Sequence, residues 1–542
     1  MPKGFLALIL HAHLPFVRHP EYEFCLEENW LFEAITECYL PLLDTFQRLA
    51  EEGVPFRLTV SFTPPLLYML SDPLLQQRYR ARLYRLLELA EREVQRTWAD
   101  PAFAPVAALY RERLQRMRHL YEERCRCDLV AAFRELEAAG RLELMASAAT
   151  HGYLPLLDLH PEAVRAQIKA GVETFRRFFG HDPLGFWLPE CGFQPGQECF
   201  LAAEGIRYFI VETHGLLYAS PRPRYGTFAP VYCPAGVAAF GRDVESSKQV
   251  WSAQEGYPGD YDYRDFYRDI GYDLDLDYIG PYLHPPGLRG HTGLKYHRIT
   301  GRTEHKEPYN PQWAREKAAL HAGNFMFNRE KQVEYLASVM DRAPIVVAPY
   351  DAELFGHWWF EGPQWLEFLI RKIAYDQETI KLCTPGDYLR LYPRNQLSTP
   401  SGSSWGWKGY HEVWLNGSND WIYRHLHKAS QRMIELANAH PSAEGLRGRA
   451  LRQAGRELLL AQSSDWAFIM KTGTMVQYAT RRFQEHIHRF TQLYHQIKEG
   501  RIDEPFLARL EGEDNLFPEL DYRLWASSDA QRAPKKLAIR PA

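Results

Sequence analysis

The chain has 542 residues, 46% hydrophobic and 24% charged, with a formal charge of −4. That length exceeds one simple core and suits two to four subdomains, while the near-neutral balance gives no electrostatic case for nucleic acid or an anionic membrane. Eight scattered cysteines lack the density of a secreted disulfide scaffold, and the apolar run at residues 5–10 is too short for a signal peptide or a span, so a cytoplasmic protein with reduced thiols is expected.

Along the chain, short β-rich runs each end in a polar loop. LALIL leads to HAHLP, FRLTV to SFTPP, LELMAS to AATHGYLP, and GFWL to PECG. RYFIV leads to ETHG, VAAF to GRDVESS, and PIVVA to PYDAELFGHWW. Helical periodicity fills the spans 27–52, 161–179, 194–204 and 325–341 between them. Repeated strand–loop–helix units predict parallel strands with crossover helices. Seven such units predict an α/β fold, an incomplete (β/α)7 barrel, with the reactive residues gathered at one end.

Two regions depart from this rhythm. Residues 72–139 are almost continuously helical in periodicity and rich in Arg, Leu and Glu, which predicts a helical insertion. The stretch LYPRNQLSTPSGSSWGWKG, 391–409, has the composition of a loop or linker. Helical patterns at 418–438, 443–463 and 476–499 then predict a C-terminal all-α domain. The expected division is a barrel over 1–390 and a helical domain over 391–542, with a frayed tail at 532–542.

Glu190 in WLPECG and Asp351 in APYDAELFGHWW each follow a buried strand and stand beside aromatic residues. Cleaving a glycosidic bond takes two carboxyl groups in different protonation states, and apolar neighbours raise the proton affinity of one of them. The plainer alternative is a helix cap and a turn. His11 and His13 lie two apart at a strand end, on one face, so they suit a metal clamp, a sugar pocket or a structural role. His151, Asp243 and Asp351 could complete a metal site. Trp251, Trp405, Trp407, Trp414 and Trp466 stand beside polar residues and suit sugar stacking or core packing. The run DLDLDY at 273–278 lacks the glycine and terminal glutamate of a calcium loop.

HAHLP, THGYLP, FWLPECG and YDAELFGHWW, in that order, with SSDW at 463–466, resemble the motifs of glycoside hydrolase family 57. Within that family the chain is similar to the 1,4-α-glucan branching enzymes and the amylases grouped with them. The resemblance implies a helical C-terminal domain that completes the cleft, and a retaining double displacement without metal or organic cofactor. It implies Glu190 as nucleophile and Asp351 as general acid/base. His11, His13 and His151 would line the pocket. Trp251, Arg264, Gly293, His357, Trp405, Trp414 and Asp465 would contact substrate. The implied partner is an α-glucan, namely amylose, amylopectin, glycogen or maltooligosaccharides, with no nucleic acid or membrane; the oligomeric state is left open.

One departure bears on the acceptor. Branching members carry a longer loop after the fifth strand, with a tyrosine at its tip that helps exclude water. Here that stretch is short, although Tyr218, Tyr225 and Tyr232 lie within it. A 6-hydroxyl acceptor makes a branch, a 4-hydroxyl a disproportionated chain, and water makes the enzyme an amylase. The rival chemistry is a metal-dependent barrel hydrolase using His11 and His13.

Overall fold

The computed structural model describes residues 2–252 and 255–527, so the tail at 532–542 lies outside the described residues. Its central sheet contains β1 (Gly4–Ala12), β2 (Leu58–Phe62), β3 (Leu142–Ser147), β4 (Gly185–Trp187) and β5 (Tyr208–Val211). β6 (Val231–Tyr232), β7 (Ala238–Gly241), β8 (Ile345–Asp351), β9 (Ile380–Leu382) and β10 (Gln396–Leu397) follow. The order is β10-β6-β7-β5-β4-β3-β2-β1-β8, with β9 beside the lower half of β1. Every pairing is parallel except β6 with β7.

No ladder closes β7 onto β8. Instead the N–H of Asp243 donates to the carbonyl of Val347 at 2.8 Å, and that of Ile345 to Phe228 at 2.9 Å. The result is the incomplete barrel expected from the seven strand–loop units. β6, β9 and β10, two or three residues each, are additions too short to carry a periodicity.

One face of the strands fills the barrel. Phe5, Ala7 and Ile9 of β1, Met145 of β3, Tyr208 and Ile210 of β5, Ala238 and Phe240 of β7, and Ile345 and Val347 of β8 form one buried cluster. Side chains alternate along a strand, so the next inward positions beyond this apolar plug are already specified. They are His11 and His13, Ser61 and Thr63, Ser147, Glu212, Arg242 and Asp351. The sequence thus turns from oil to chemistry on a single face, at the carboxyl ends of the strands.

The predicted helix over 27–52 is interrupted: Glu28–Ala34 and Leu40–Glu51 are α-helical, and Ile35–Tyr39 between them is a π-helical turn. The insertion is helical as expected, with Pro73–Thr97, Ala104–His119 and Leu129–Ala138. The helix expected at 325–341 starts earlier and runs Pro311–Val339. Asn310 caps it by accepting from the N–H groups of Gln312 and Trp313, and Pro311 occupies its first turn. Its first half escaped the pattern because Trp313 and Leu320 face solvent.

The chain divides into two compact units. The first takes the chain up to Ala148 and Gly171–Tyr410; the second takes Ala149–Ala170 and the chain from His411. The second unit is helical, with Trp421–Ala439, Gly445–Ala461, Ser464–Thr472, Val476–Glu499 and Glu504–Glu513. None of the eight cysteines is in a disulfide. Among the described residues no helix is long and apolar enough to cross a membrane.

Candidate active site

β1 sets the floor of the site. His11 pairs in register with Ser61 on one side and Asp351 on the other. Its Nδ1 lies 3.2 Å from Ser61 Oγ, and its ring stacks on Trp187 at 4.6 Å between centroids. Burial, with the His13 ring beside it, pushes His11 well below the usual histidine range and keeps it neutral. The half-buried His13 meets Thr63 Oγ1 at 2.9 Å, and the two imidazoles lie near parallel at 5.9 Å.

Glu190 reaches the same end of the barrel by a backbone irregularity. It sits in the left-handed region at φ 62°, and Cys191 follows at φ 49°. Both conformations are costly for side-chain-bearing residues and persist where the surroundings enforce them. Here the loop 401–409 does so. Phe193 and Ser403 form a β-bridge, and the N–H of Trp405 donates to the carbonyl of Glu190 at 3.0 Å. The indole Nε1 of Trp405 donates to Glu190 Oε2 at 2.8 Å, while its ring meets Trp187 edge-on at 5.1 Å. The composition of this stretch reads as a linker; in place it is the wall that orients Glu190.

Asp351 ends β8, half-buried, and its carboxyl is held well above the usual carboxylate range. Burial is the main cause; the charges of Glu353 and Glu190 add to it, and Arg242 opposes. Arg242 lies over Trp405 at 5.6 Å and pairs with Glu212 at 2.9 Å. Two carboxyl groups after different strands therefore feel one another, and burial favours the protonated form of Asp351. A carboxyl held protonated beside a second carboxyl suits glycosidic cleavage.

Arg264, Gly293 and His357 gather around Glu37 in an adjoining pocket. His357 Nδ1 is 2.7 Å from Glu37 Oε2, and the His357 carbonyl accepts from Arg264 Nη2 at 3.1 Å. Gly293, at φ 90°, lies so close that a Cβ there would stand 3.1 Å from Glu37 Oε1. Burial alone would raise Glu37; the His357 hydrogen bond and the charges of His357, Arg264 and Lys295 outweigh it and hold it at about 2. Trp251, half-buried at a helix end, lies 6.2 Å from Trp358.

The second unit holds the other three predicted residues. His151, at φ 56°, meets Ser464 Oγ through Nδ1 at 2.9 Å, and its carbonyl accepts from the N–H of Ser464 at 3.1 Å. Asp465 Oδ2 accepts from Ser463 Oγ at 2.5 Å. Trp414 is buried and stacks on Tyr153 at 4.3 Å.

The histidine pair on β1 falls, among the described residues, in no converging set of three donors. Among the described residues the one such set is Glu457, His486 and Asp514 in the C-terminal helices. Two arginines already meet Asp514 there, Arg489 at 2.5 Å and Arg482 at 3.4 Å, and Gln453 meets Glu457 at 2.8 Å. That trio fits a buried ion network better than a cation.

Several residues of the site were not singled out from sequence. Trp187, Arg242 and Glu353 lie inside quoted motifs, and the inward parity of β7 would have flagged Arg242. Tyr39 and Glu37 gave no signal, because the π-turn is hidden in helical periodicity.

Residues 7–400 match the glycosyl hydrolase family 57 model. The chain belongs to that family. Residues 425–525 match the model of a 1,4-alpha-glucan branching enzyme C-terminal region. The family 57 relatives include a 1,4-alpha-glucan branching enzyme of Thermococcus kodakarensis, 34% identical over 551 residues, covering 95% of this chain and 77% of that one. Among solved structures, the alpha-amylase AmyC from Thermotoga maritima is 44% identical with a TM-score of 0.92, covering 97% of this chain and 100% of that one. The family 57 branching enzyme from Pyrococcus horikoshii is 34% identical with a TM-score of 0.87, covering 97% of each chain.

Proposed function

We propose that this protein is a retaining 1,4-α-glucan branching enzyme. What supports the chemistry is the pairing of two carboxyls at one end of the barrel: Asp351, whose burial favours its protonated form, and Glu190, whose oxygen is oriented by the Trp405 indole. The Glu190 carboxylate attacks the anomeric carbon of an α-1,4 link. The bond from that carbon to O4 breaks, and the Asp351 proton goes to O4. Asp351, now a carboxylate, takes the proton from an acceptor hydroxyl, whose oxygen displaces Glu190 from the glycosyl-enzyme.

In this reading the neutral imidazole of His11, with His13, offers hydrogen bonds to the hydroxyls of the glucose being transferred, and Trp405 borders that subsite. Arg264, Gly293, His357 and Trp251 serve glucose units farther along the chain, as do His151, Trp414 and Asp465. The substrate is an α-glucan, and the branching activity of two relatives supports a 6-hydroxyl acceptor.

A second reading, hydrolysis, is favoured by one feature. The short loop after β5 is tied down: Ser220 and Thr399 exchange backbone hydrogen bonds at 3.0 Å, and the Tyr225 hydroxyl donates to Asp341 beneath Arg224 and Arg342. Tyr225 is thereby committed to a surface pocket. The likeness to an alpha-amylase points the same way. Incubating amylose with the protein and measuring new α-1,6 linkages against new reducing ends by proton NMR decides between them. Branches in excess of reducing ends support the proposal; reducing ends without branches make the enzyme an amylase.

A further inference from the structure

The π-turn Ile35–Tyr39 points three consecutive residues at the segment that follows Asp351. Glu37 holds His357, Cys38 Sγ donates to the carbonyl of Ala352 at 2.9 Å, and the Tyr39 hydroxyl donates to Glu353 Oε1 at 2.5 Å. Consecutive residues of an α-helix point about 100° apart, too widely for three to meet one short loop. The wider π-turn gathers them, and such turns concentrate at functional sites. The approach is close: a Cβ on Gly356, at φ 108°, would lie 1.8 Å from the Glu37 carbonyl oxygen. Glu353 Oε1 accepts a second hydrogen bond, at 3.0 Å, from the backbone N–H of His13.

We propose that Tyr39 and Glu353 are positioning residues that act through Asp351, the π-turn holding Glu353 against the acid/base loop. The inference rests on the reading of Asp351 as general acid/base. The groups facing Asp351 are Glu353 on its own turn, Glu190 and Cys191 after β4, Arg242 after β7, Tyr39 on the π-turn and His11 on β1. Those facing Glu353 are Tyr39, Cys38, His13 and Asp351. Two adjacent carboxyls do not both ionise readily, and the charge of Glu353 is one of the causes that raise Asp351. Burial raises Glu353 as well, but the donors from Tyr39 and His13 favour its charged form. They leave the proton on Asp351, where the leaving oxygen can take it.

The test is kcat and KM against pH, on one maltooligosaccharide, for wild type, Tyr39→Phe, Glu353→Gln and Asp351→Asn. Removing the like charge in Glu353→Gln lowers the proton affinity of Asp351, so the alkaline limb of kcat moves to lower pH by about one unit. Tyr39→Phe lets the proton drift to Glu353, and kcat falls about ten- to a hundredfold with KM within about threefold of wild type. An unmoved alkaline limb in Glu353→Gln together with wild-type kcat in Tyr39→Phe overturns the inference. Should Glu353→Gln fail to fold, the Tyr39→Phe result decides alone. Full activity in Asp351→Asn defeats the acid/base reading itself, whereas an inactive Asp351→Asn with unaltered partners defeats only the role given to Tyr39 and Glu353.

Discussion

Trp405 holds Glu190 twice, through its indole N–H to the carboxyl at 2.8 Å and through its backbone N–H to the carbonyl at 3.0 Å. One bond belongs to the side chain and the other to the chain path, so substitution separates them. Trp405→Phe keeps the backbone bond and an aromatic face but loses the donor. A hydrogen bond to a charged group contributes about 1.5–3 kcal/mol, so kcat on amylose is expected to fall about ten- to a hundredfold, with KM little changed. Trp405→Ala also loses the face and raises KM. Steady-state kinetics on both variants checks this.

Glu190→Gln and Asp351→Asn each remove most of the rate, by about three powers of ten or more. They differ with an activated substrate. α-Glucosyl fluoride needs no proton on its leaving group, so it restores the first step in Asp351→Asn and not in Glu190→Gln. Fluoride release measured with a glucan acceptor present discriminates the two; equal release from both variants would contradict the assignment of roles.

The buried network of the C-terminal helices gives a stability prediction. Burial alone would raise Asp514, but His486, Arg482 and Arg489 outweigh it and hold it at about 2, whereas burial and the Asp514 charge push Glu457 well above the carboxylate range. Asp514→Asn removes the carboxylate that Arg482, Arg489 and His486 share, leaving them with Glu485, Glu513 and Glu457, and costs about 1.5–3 kcal/mol. Glu457→Gln replaces a group that already carries its proton and costs less than about 1.5 kcal/mol. Because the folded carboxyl of Asp514 lies below its unfolded value, its contribution is complete above about pH 4 and fades as pH falls through about 2. Urea unfolding of both variants at pH 7 and of the wild type down to pH 2 measures each term.

Gly356→Ala places a methyl group 1.8 Å from the Glu37 carbonyl oxygen, at a φ of 108° that alanine rarely adopts. Backbone must move on one side or the other. A loss of about 3 kcal/mol or more is expected, together with most of the activity, read from the thermal midpoint and from amylose turnover.

The strands that build the site were legible because a buried parallel strand reads as a continuous apolar run, and the residues at its carboxyl end break that run abruptly. His11, Glu190 and Asp351 are all announced in this way. The π-turn was not legible: residues 27–52 keep helical periodicity straight through it, and a change in hydrogen-bond pattern leaves no mark on which positions are apolar. The loop 391–409 misled for a related reason, since composition reports what a segment is made of and not what it grips. Trp405 there orients a carboxylate through contacts more than two hundred positions away in the chain. Trp414, for which sugar stacking and core packing both stood open, is buried on Tyr153.

The discontinuous second unit has a consequence for how the protein is made. Ala149–Ala170 leaves the ribosome about 240 residues before the helices with which it is grouped. At about 5–20 residues per second, that is a wait on the order of tens of seconds. For that interval the strand-bearing unit can gather its own pieces, while the segment bearing His151 stays without its eventual neighbours Ser463 and Ser464. Completion of this unit is therefore a late event in synthesis, and a nascent chain halted between Ala170 and His411 would expose to the chaperone machinery a stretch that the finished protein conceals.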